Sequence, residues 1–128
     1  MVDIIFTKQI IEKIINYCNE IKSMQTRFGD TYESYVNDNA YRYACDMCLM
    51  QIGELASKLT ENFRLKYDFV PWKKIRGMRN IFAHNYLNVN YEEAWATITI
   101  NVPELEKSCL LILSDLSINN ENSGNCYE

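Results

Sequence analysis

The segment Gly77-Met78-Arg79-Asn80-Ile81-Phe82-Ala83-His84-Asn85-Tyr86 holds the only histidine in a chain of 128 residues. An arginine stands five positions before that histidine and a tyrosine two after it. His84 is the side chain whose ordinary pKa lets it give and take a proton near neutrality. Arg79 is a permanent cation with a planar fork that suits phosphate oxygens. Asn80 adds a neutral donor and acceptor, and Tyr86 a hydroxyl. On a helix, positions 79 and 86 fall almost on one line, since seven residues are close to two turns. His84 then sits well round the cylinder from Arg79, which must bend its long side chain to share a site. Alternatively the helix ends near His84, as Asn85, Asn88 and Asn90 favour.

Outward from this segment, Pro71 fits the first turn of a helix, where its missing N–H does no harm. Trp72, Ile75 and Met78 follow at intervals of three and form an anchoring stripe, which Ile81 and Phe82 extend. Gly77 weakens a helix by about 1 kcal/mol against alanine. Its reason is either close approach of another backbone or a break that aims Arg79. Upstream, the longest helix is predicted from about Asp38 to Asn62, with Ala40, Tyr43, Ala44, Met47, Cys48, Gln51, Ile52, Leu55 and Leu59 as its inner stripe. Lys66 to Val70 reads as a linker. Glu54 lies beside the apolar stripe, where a carboxylate is costly unless paired. It points to solvent or faces the motif.

Asp3 is placed to cap a first helix whose apolar positions 4, 5, 11, 14, 15, 18 and 21 recur up to about Met24. Arg27 to Asp30 reads as a turn, and Thr31 as the cap of a short helical turn. Asn90 with Glu93 three residues on resembles a capping box for a helix over Tyr91 to Asn101. Pro103 is unsuited to a helix interior, so a last helix is expected to restart there and end near Leu116. No strand-like alternation, internal repeat, phosphate loop or metal-ligand cluster stands out. The expected fold is all-α: an up-and-down bundle of four main helices plus a short helix carrying the motif. Residues 1–117 read as a single helical domain and 118–128 as a polar, frayed tail.

The chain is 48% apolar, enough for a core, and no run approaches the roughly 20 apolar residues of a membrane helix. The N-terminus lacks the basic start and cleavage site of a signal peptide, so a cytoplasmic protein with no membrane partner is expected. The five cysteines are irregularly spaced, which disfavours a disulfide framework. Cys45-x-x-Cys48 lies within helical sequence and reads as core packing. Net charge is −4, yet Phe69 to Tyr91 carries Lys73, Lys74, Arg76 and Arg79 and no acid, so removing those four leaves −8 on the rest. A basic patch surrounds the motif in an acidic chain, fit to cradle a few phosphates.

Ile52-Gly53-Glu54, Pro71-Trp72, Ile75, Gly77-Met78-Arg79-Asn80 and His84-x-Tyr86 resemble, in order and separation, the HepT-like branch of the HEPN superfamily. The resemblance spans roughly Thr31 to Leu116. In that family Arg-x4-His-x-Tyr is the active motif of a ribonuclease toxin. Asn85 stands where many relatives carry an acid, outside the motif itself. The resemblance implies a HEPN-like domain, Arg79 and His84 as catalytic residues, and Asn80, Tyr86 and Glu54 in support. It also implies a homodimer with two motifs in a shared cleft, and an MntA-type nucleotidyltransferase antitoxin that transfers AMP to Tyr86.

The chemistry agrees without it. RNA carries its own nucleophile, the 2′-OH, so histidine and arginine can cleave it with no metal or cofactor while DNA stays inert. A two-fold dimer supplies the second acid or base. Lys73, Lys74 and Arg76 are the expected RNA-binding residues. The competing reading is a non-catalytic helical module that binds a nucleotidyltransferase.

Overall fold

The computed structural model describes the backbone of residues 4–84 and 88–125 and the side chains of 4–80 and 88–118. Within those residues the fold is all-α, with no strand. Helix α1 spans Ile4–Phe28 and α2 spans Tyr32–Val36; α3 is Asn39–Ser57 and α4 is Glu61–Lys66. Helix α5 is Trp72–His84 and α6 is Tyr91–Ala96; a π-helical stretch over Thr97–Asn101 leads into α7, Val102–Asn125. Helix α1 packs between α3 and α7, and α5 lies along the other side of α3.

The helix starts follow local chemistry. The Thr31 hydroxyl accepts from the Ser34 N–H, and the Asp38 carboxylate from those of Ala40 and Tyr41. The Asn90 side chain accepts from the N–H groups of Glu92 and Glu93. Each satisfies a donor that the first turn cannot. The predicted cap at Asp3 lies outside the described residues. Helix α1 buries Ile10, Ile11, Ile14, Cys18 and Ile21 and ends at Gly29, whose φ of 114° turns the chain toward α2.

Three parts of the chain differ from expectation. The long helix stops at Ser57 instead of running to Asn62. Thr60 caps a separate helix by accepting from the Phe63 N–H, so part of the expected helix and the linker's first residue form α4. Tyr67 follows, buried, with its carbonyl accepting from the Trp72 indole N–H at 3.0 Å. The inner stripe of α3 is also rotated: Tyr41, Cys45, Cys48, Leu49, Ile52, Leu55 and Ala56 face the core, while Tyr43 and Met47 are about half exposed. The first half of α3 has a broad apolar arc, and its one acid, Asp46, is itself buried, so spacing alone leaves its phase open.

The third difference is at Pro103, where no break occurs. The Val102 N–H reaches back five residues to the Thr97 carbonyl. In a regular helix the proline ring would clash with the carbonyl four residues back, at Thr99. Thr99 lies in the π-helical stretch, whose wider winding relieves that clash. Helix α7 therefore continues from α6 and runs to Asn125, well past Leu116. Helical spacing puts Leu105, Cys109, Ile112, Leu113 and Leu116 on one inner stripe, and all are buried but Leu113, which is half-buried against the core.

Cys18, Cys45, Cys48 and Cys109 are free and buried. Burial pushes the Cys45 thiol up to about 12 and that of Cys48 to about 11, so both pack as neutral groups. Asp46, unforeseen in the sequence, is also buried, at 4% exposure. It accepts from the Tyr35 hydroxyl at 3.4 Å, and its second oxygen has no hydrogen-bond partner among the described residues. Burial raises its pKa from 3.8 to about 6, against the opposing pull of Tyr35 and Arg42. Tyr35 itself stacks on Trp95 and meets Tyr41 edge-on, tying α2, α3 and α6 together.

Helices α3 and α5 meet backbone to backbone at Gly53. A Cβ there would lie 2.8 Å from the Arg79 backbone nitrogen and 2.8 Å from the Ile75 carbonyl oxygen. Those are backbone atoms, so a side chain at 53 forces α5 away from α3.

Two outcomes follow from this packing. Gly53→Ala lowers stability by about 1–3 kcal/mol in urea melts, the strain outweighing the gain in helix propensity; an unchanged midpoint would show that the helices are not closely seated. Asp46 binds a proton more tightly folded than unfolded, so its contribution is complete below about pH 4 and lost as pH rises through about 6. Asp46→Asn therefore stabilises the fold at pH 8 by about 3 kcal/mol and progressively less toward pH 4. A stability difference independent of pH would contradict this.

Candidate active site

The residues of α5 sort by helical phase. Trp72 and Ile75 are buried and Met78 is half-buried, on the side facing the core. Arg79, four residues after Ile75, shares that side and is seated by its backbone on Gly53. Its guanidinium then emerges beside the next residue of α3. Arg79 Nη1 donates to Glu54 Oε2 at 3.3 Å, with the two side chains 43% and 48% exposed. Glu54 thus meets both expectations, facing solvent and the motif arginine together. An exposed pair adds little stability; what it provides is direction for the guanidinium.

Gly77 fulfils neither reading made of it. Helix α5 passes through it without a break, and nothing among the described residues comes within 4 Å of where its Cβ would stand. The close approach expected at Gly77 occurs at Gly53 instead. A signal for it was present, since a glycine inside a long apolar helix calls for a packing reason.

The helix is described as far as His84, so positions 79 and 84 share one helix and are about 140° apart around it. The side chain of His84, and Asn85, Tyr86 and Leu87 altogether, lie outside the described residues. The structure therefore brings Arg79 and Glu54 together and leaves the approach of His84 and Tyr86 undescribed. Lys73, Lys74 and Asn80 are exposed and Arg76 is half-buried. By register, Lys73, Gly77, Asn80 and position 84 form one line along the outer side of α5, at spacings of four, three and four.

A second feature escaped the sequence reading. On α3, Tyr43, Met47, Met50 and Glu54 share one outward line, with Tyr43 51% and Met47 53% exposed. This apolar strip leads directly to the Glu54–Arg79 pair. Gln51, beside it, is half-buried, its amide near the Met47 sulfur. Among the described residues no group of three or more His, Cys, Asp or Glu is placed to hold a metal ion. Nor is any helix there long and apolar enough to cross a membrane.

Comparison with known proteins identifies the family of the chain. Residues 8–112 match the family described as ribonuclease HepT-like. The chain is 34% identical over 118 residues to a Methanocaldococcus jannaschii protein named "Putative RNase MJ1216", covering 92% of this chain and 93% of that one. A second protein of that organism, "Putative RNase MJ0125", is 35% identical, with 85% and 92% of the two chains covered. "Putative RNase TTE0752" of Caldanaerobacter subterraneus subsp. tengcongensis is 38% identical over 80% of this chain and 90% of its own. No solved structure matches. With a family match over residues 8–112 and relatives covered over most of their length, the chain belongs to the HepT-like ribonuclease family.

Proposed function

We propose that this protein is a metal-independent endoribonuclease and the toxin half of a toxin–antitoxin pair, acting in the cytoplasm as a homodimer. The observation that carries the reading is the placement of Arg79. Its backbone is fixed against Gly53, its fork is aimed by Glu54, and it stands on a helix whose cations have no acid among them from Phe69 to Tyr91.

The chemistry assigned is transesterification. His84 takes the proton of a 2′-OH as that oxygen attacks the adjacent phosphorus. The bond to the 5′-oxygen breaks, leaving a 2′,3′-cyclic phosphate, and the departing oxygen receives a proton. Arg79 stabilises the charge that builds on the phosphorane oxygens. Asn80 supports the phosphate, while Lys73, Lys74 and Arg76 hold the flanking strand. One histidine per chain cannot serve both proton transfers at once, so the second copy supplies its own. The apolar strip through Met47 and Met50 suits a self-complementary contact, because a two-fold axis pairs it with itself and brings two Glu54–Arg79 pairs to one cleft.

Control is assigned to Tyr86. A partner nucleotidyltransferase of the MntA type moves AMP from ATP to its phenolic oxygen and releases pyrophosphate. The added phosphate neutralises Arg79, and the nucleoside fills the RNA channel.

Purified protein should cleave RNA with chelator present, and Arg79→Ala or His84→Ala should each lower the rate about a hundredfold or more with the helical spectrum unchanged. Arg79→Lys should retain part of the activity, because a point charge cannot reproduce the fork. Full activity in either alanine variant would reject the assigned roles, and loss of activity in chelator would reject the metal-free route. Inactive wild-type protein that still binds the transferase would instead make the chain a partner module.

For the control step, intact-mass analysis after co-expression with an MntA-type nucleotidyltransferase should show AMP increments that vanish in Tyr86→Phe. Modification that persists in the phenylalanine variant would place control elsewhere.

A further inference from the structure

Lys73, Arg76 and Arg79 follow one another on α5 at intervals of three residues. Residues at that interval are neighbours on a helix, with about 5–6 Å between Cβ atoms, and their row crosses the axis at about 45°. Each step turns about 60° round α5, so Arg76 is the middle of the ridge, with Lys73 to one side of it and Arg79 to the other. Lys73 is exposed, and Arg76 and Arg79 are half-buried. Lys74 lies off the ridge, about 160° round from Arg76. Like charges on one ridge repel, which costs the free protein. At Arg79 the carboxylate of Glu54 offsets that cost. Arg76 has no such relief. Among the described residues it joins no ion pair, and its buried Nε has no hydrogen-bond partner. A half-buried cation without a counter-charge is a burden on the fold, and an anion laid along the ridge removes it.

We propose that Arg76 holds the phosphate next to the one that is cleaved, so that the ridge Lys73–Arg76–Arg79 takes three successive phosphates of one RNA strand. This deepens the ribonuclease reading and rests on it. Arg76 is then a positioning residue. It sets the register in which the strand presents a phosphate to Arg79, and small displacements at a reacting centre are costly in rate. The substrate class follows from the row. A lone phosphate meets Arg79, which already has a carboxylate beside it. A strand with two further phosphates on one side of the cut also neutralises Arg76 and Lys73, and a flexible single strand can follow an oblique row of cations.

The test pairs one residue with one phosphate. An RNA that the wild-type protein cuts is first identified from a digest of total RNA. A short oligonucleotide spanning the cut is then made with a 2′-methoxy group at the cut nucleotide, which blocks attack. Its linkages are replaced one at a time by uncharged methylphosphonate. Binding is measured over a range of salt for wild type, Arg76→Gln, Arg76→Lys and an off-ridge control on α7, Lys107→Gln. Arg76→Gln should weaken binding about tenfold and lower the salt slope by about 0.7. Arg76→Lys should keep the slope, and Lys107→Gln should change neither quantity. A neutral linkage on one side of the cut should weaken wild-type binding about tenfold and have no further effect in Arg76→Gln. An oligonucleotide trimmed to the cut linkage alone should bind wild type and Arg76→Gln alike. Unchanged binding in Arg76→Gln would overturn the proposal. So would a neutral linkage whose effect is the same in wild type and Arg76→Gln, because the two losses would then be unrelated. So would wild-type binding that is indifferent to both linkages beside the cut, a result that needs no variant to fold. A wild-type protein that cuts no RNA would overturn the activity itself, and this inference with it.

Discussion

The contact between Gly53 and the backbone of α5 is the constraint on which the rest of the arrangement depends. Two helices approach this closely only where one of them lacks a Cβ, and here the missing Cβ is opposite the Ile75 carbonyl and the Arg79 amide. Because the contact is backbone to backbone, it fixes the height and rotation of α5 at the residue that carries the motif cation. Trp72 and Ile75 then fill the same interface with buried area, and Trp72 is held by its indole bond to the Tyr67 carbonyl. Lys73 and Lys74 of α5 are turned outward as a result, without any further device.

Much of this was legible in the sequence. The caps at Thr31, Asp38 and Asn90 were readable because capping is local chemistry, decided within three residues. The all-α class followed from apolar spacing, and so did the stripe of α7 from Leu105 to Leu116, of which only Leu113 is half-buried. The phase of α3 was not readable. Tyr41, Tyr43, Cys45, Met47, Cys48, Leu49 and Met50 offer two apolar faces, and only the partners α1 and α5 decide which is core. Helix α4 and the π-helical passage through Pro103 likewise depend on neighbours: one on Tyr67 docking beneath Trp72, the other on a continuous axis from α6 into α7. At the site, the sequence left Glu54 between solvent and the motif, and the structure pairs it with Arg79; the close backbone approach expected at Gly77 is at Gly53, because spacing cannot show which glycine another backbone approaches.

Asp46 shows a different tension. A carboxylate among Tyr35, Cys45 and the core of α3 costs stability whenever it is ionised, and near neutrality much of it is. The fold carries this cost next to the stacked rings of Tyr35, Tyr41 and Trp95, whose burial offsets it. The aromatic cluster and the helix-to-helix seat at Gly53 thus sit at different levels of one helix, α3, which links the packing of α1, α2 and α6 to the placement of α5.

The Arg79 side chain combines a rigid root with a loose tip. Its backbone belongs to the core, set by Gly53, and no change in solvent moves it. Its guanidinium belongs to the surface, paired with a carboxylate that is about half exposed. Dissolved ions screen such a pair over roughly 10 Å at 0.1 M salt, and it holds by little more than thermal energy. Glu54 therefore acts as a resident anion that keeps the fork extended and yields to a better one. A single small anion gains little by displacing it. On the function proposed above, a polyanion that also engages the neighbouring lysines would gain several contacts at once, so chain length would count before base.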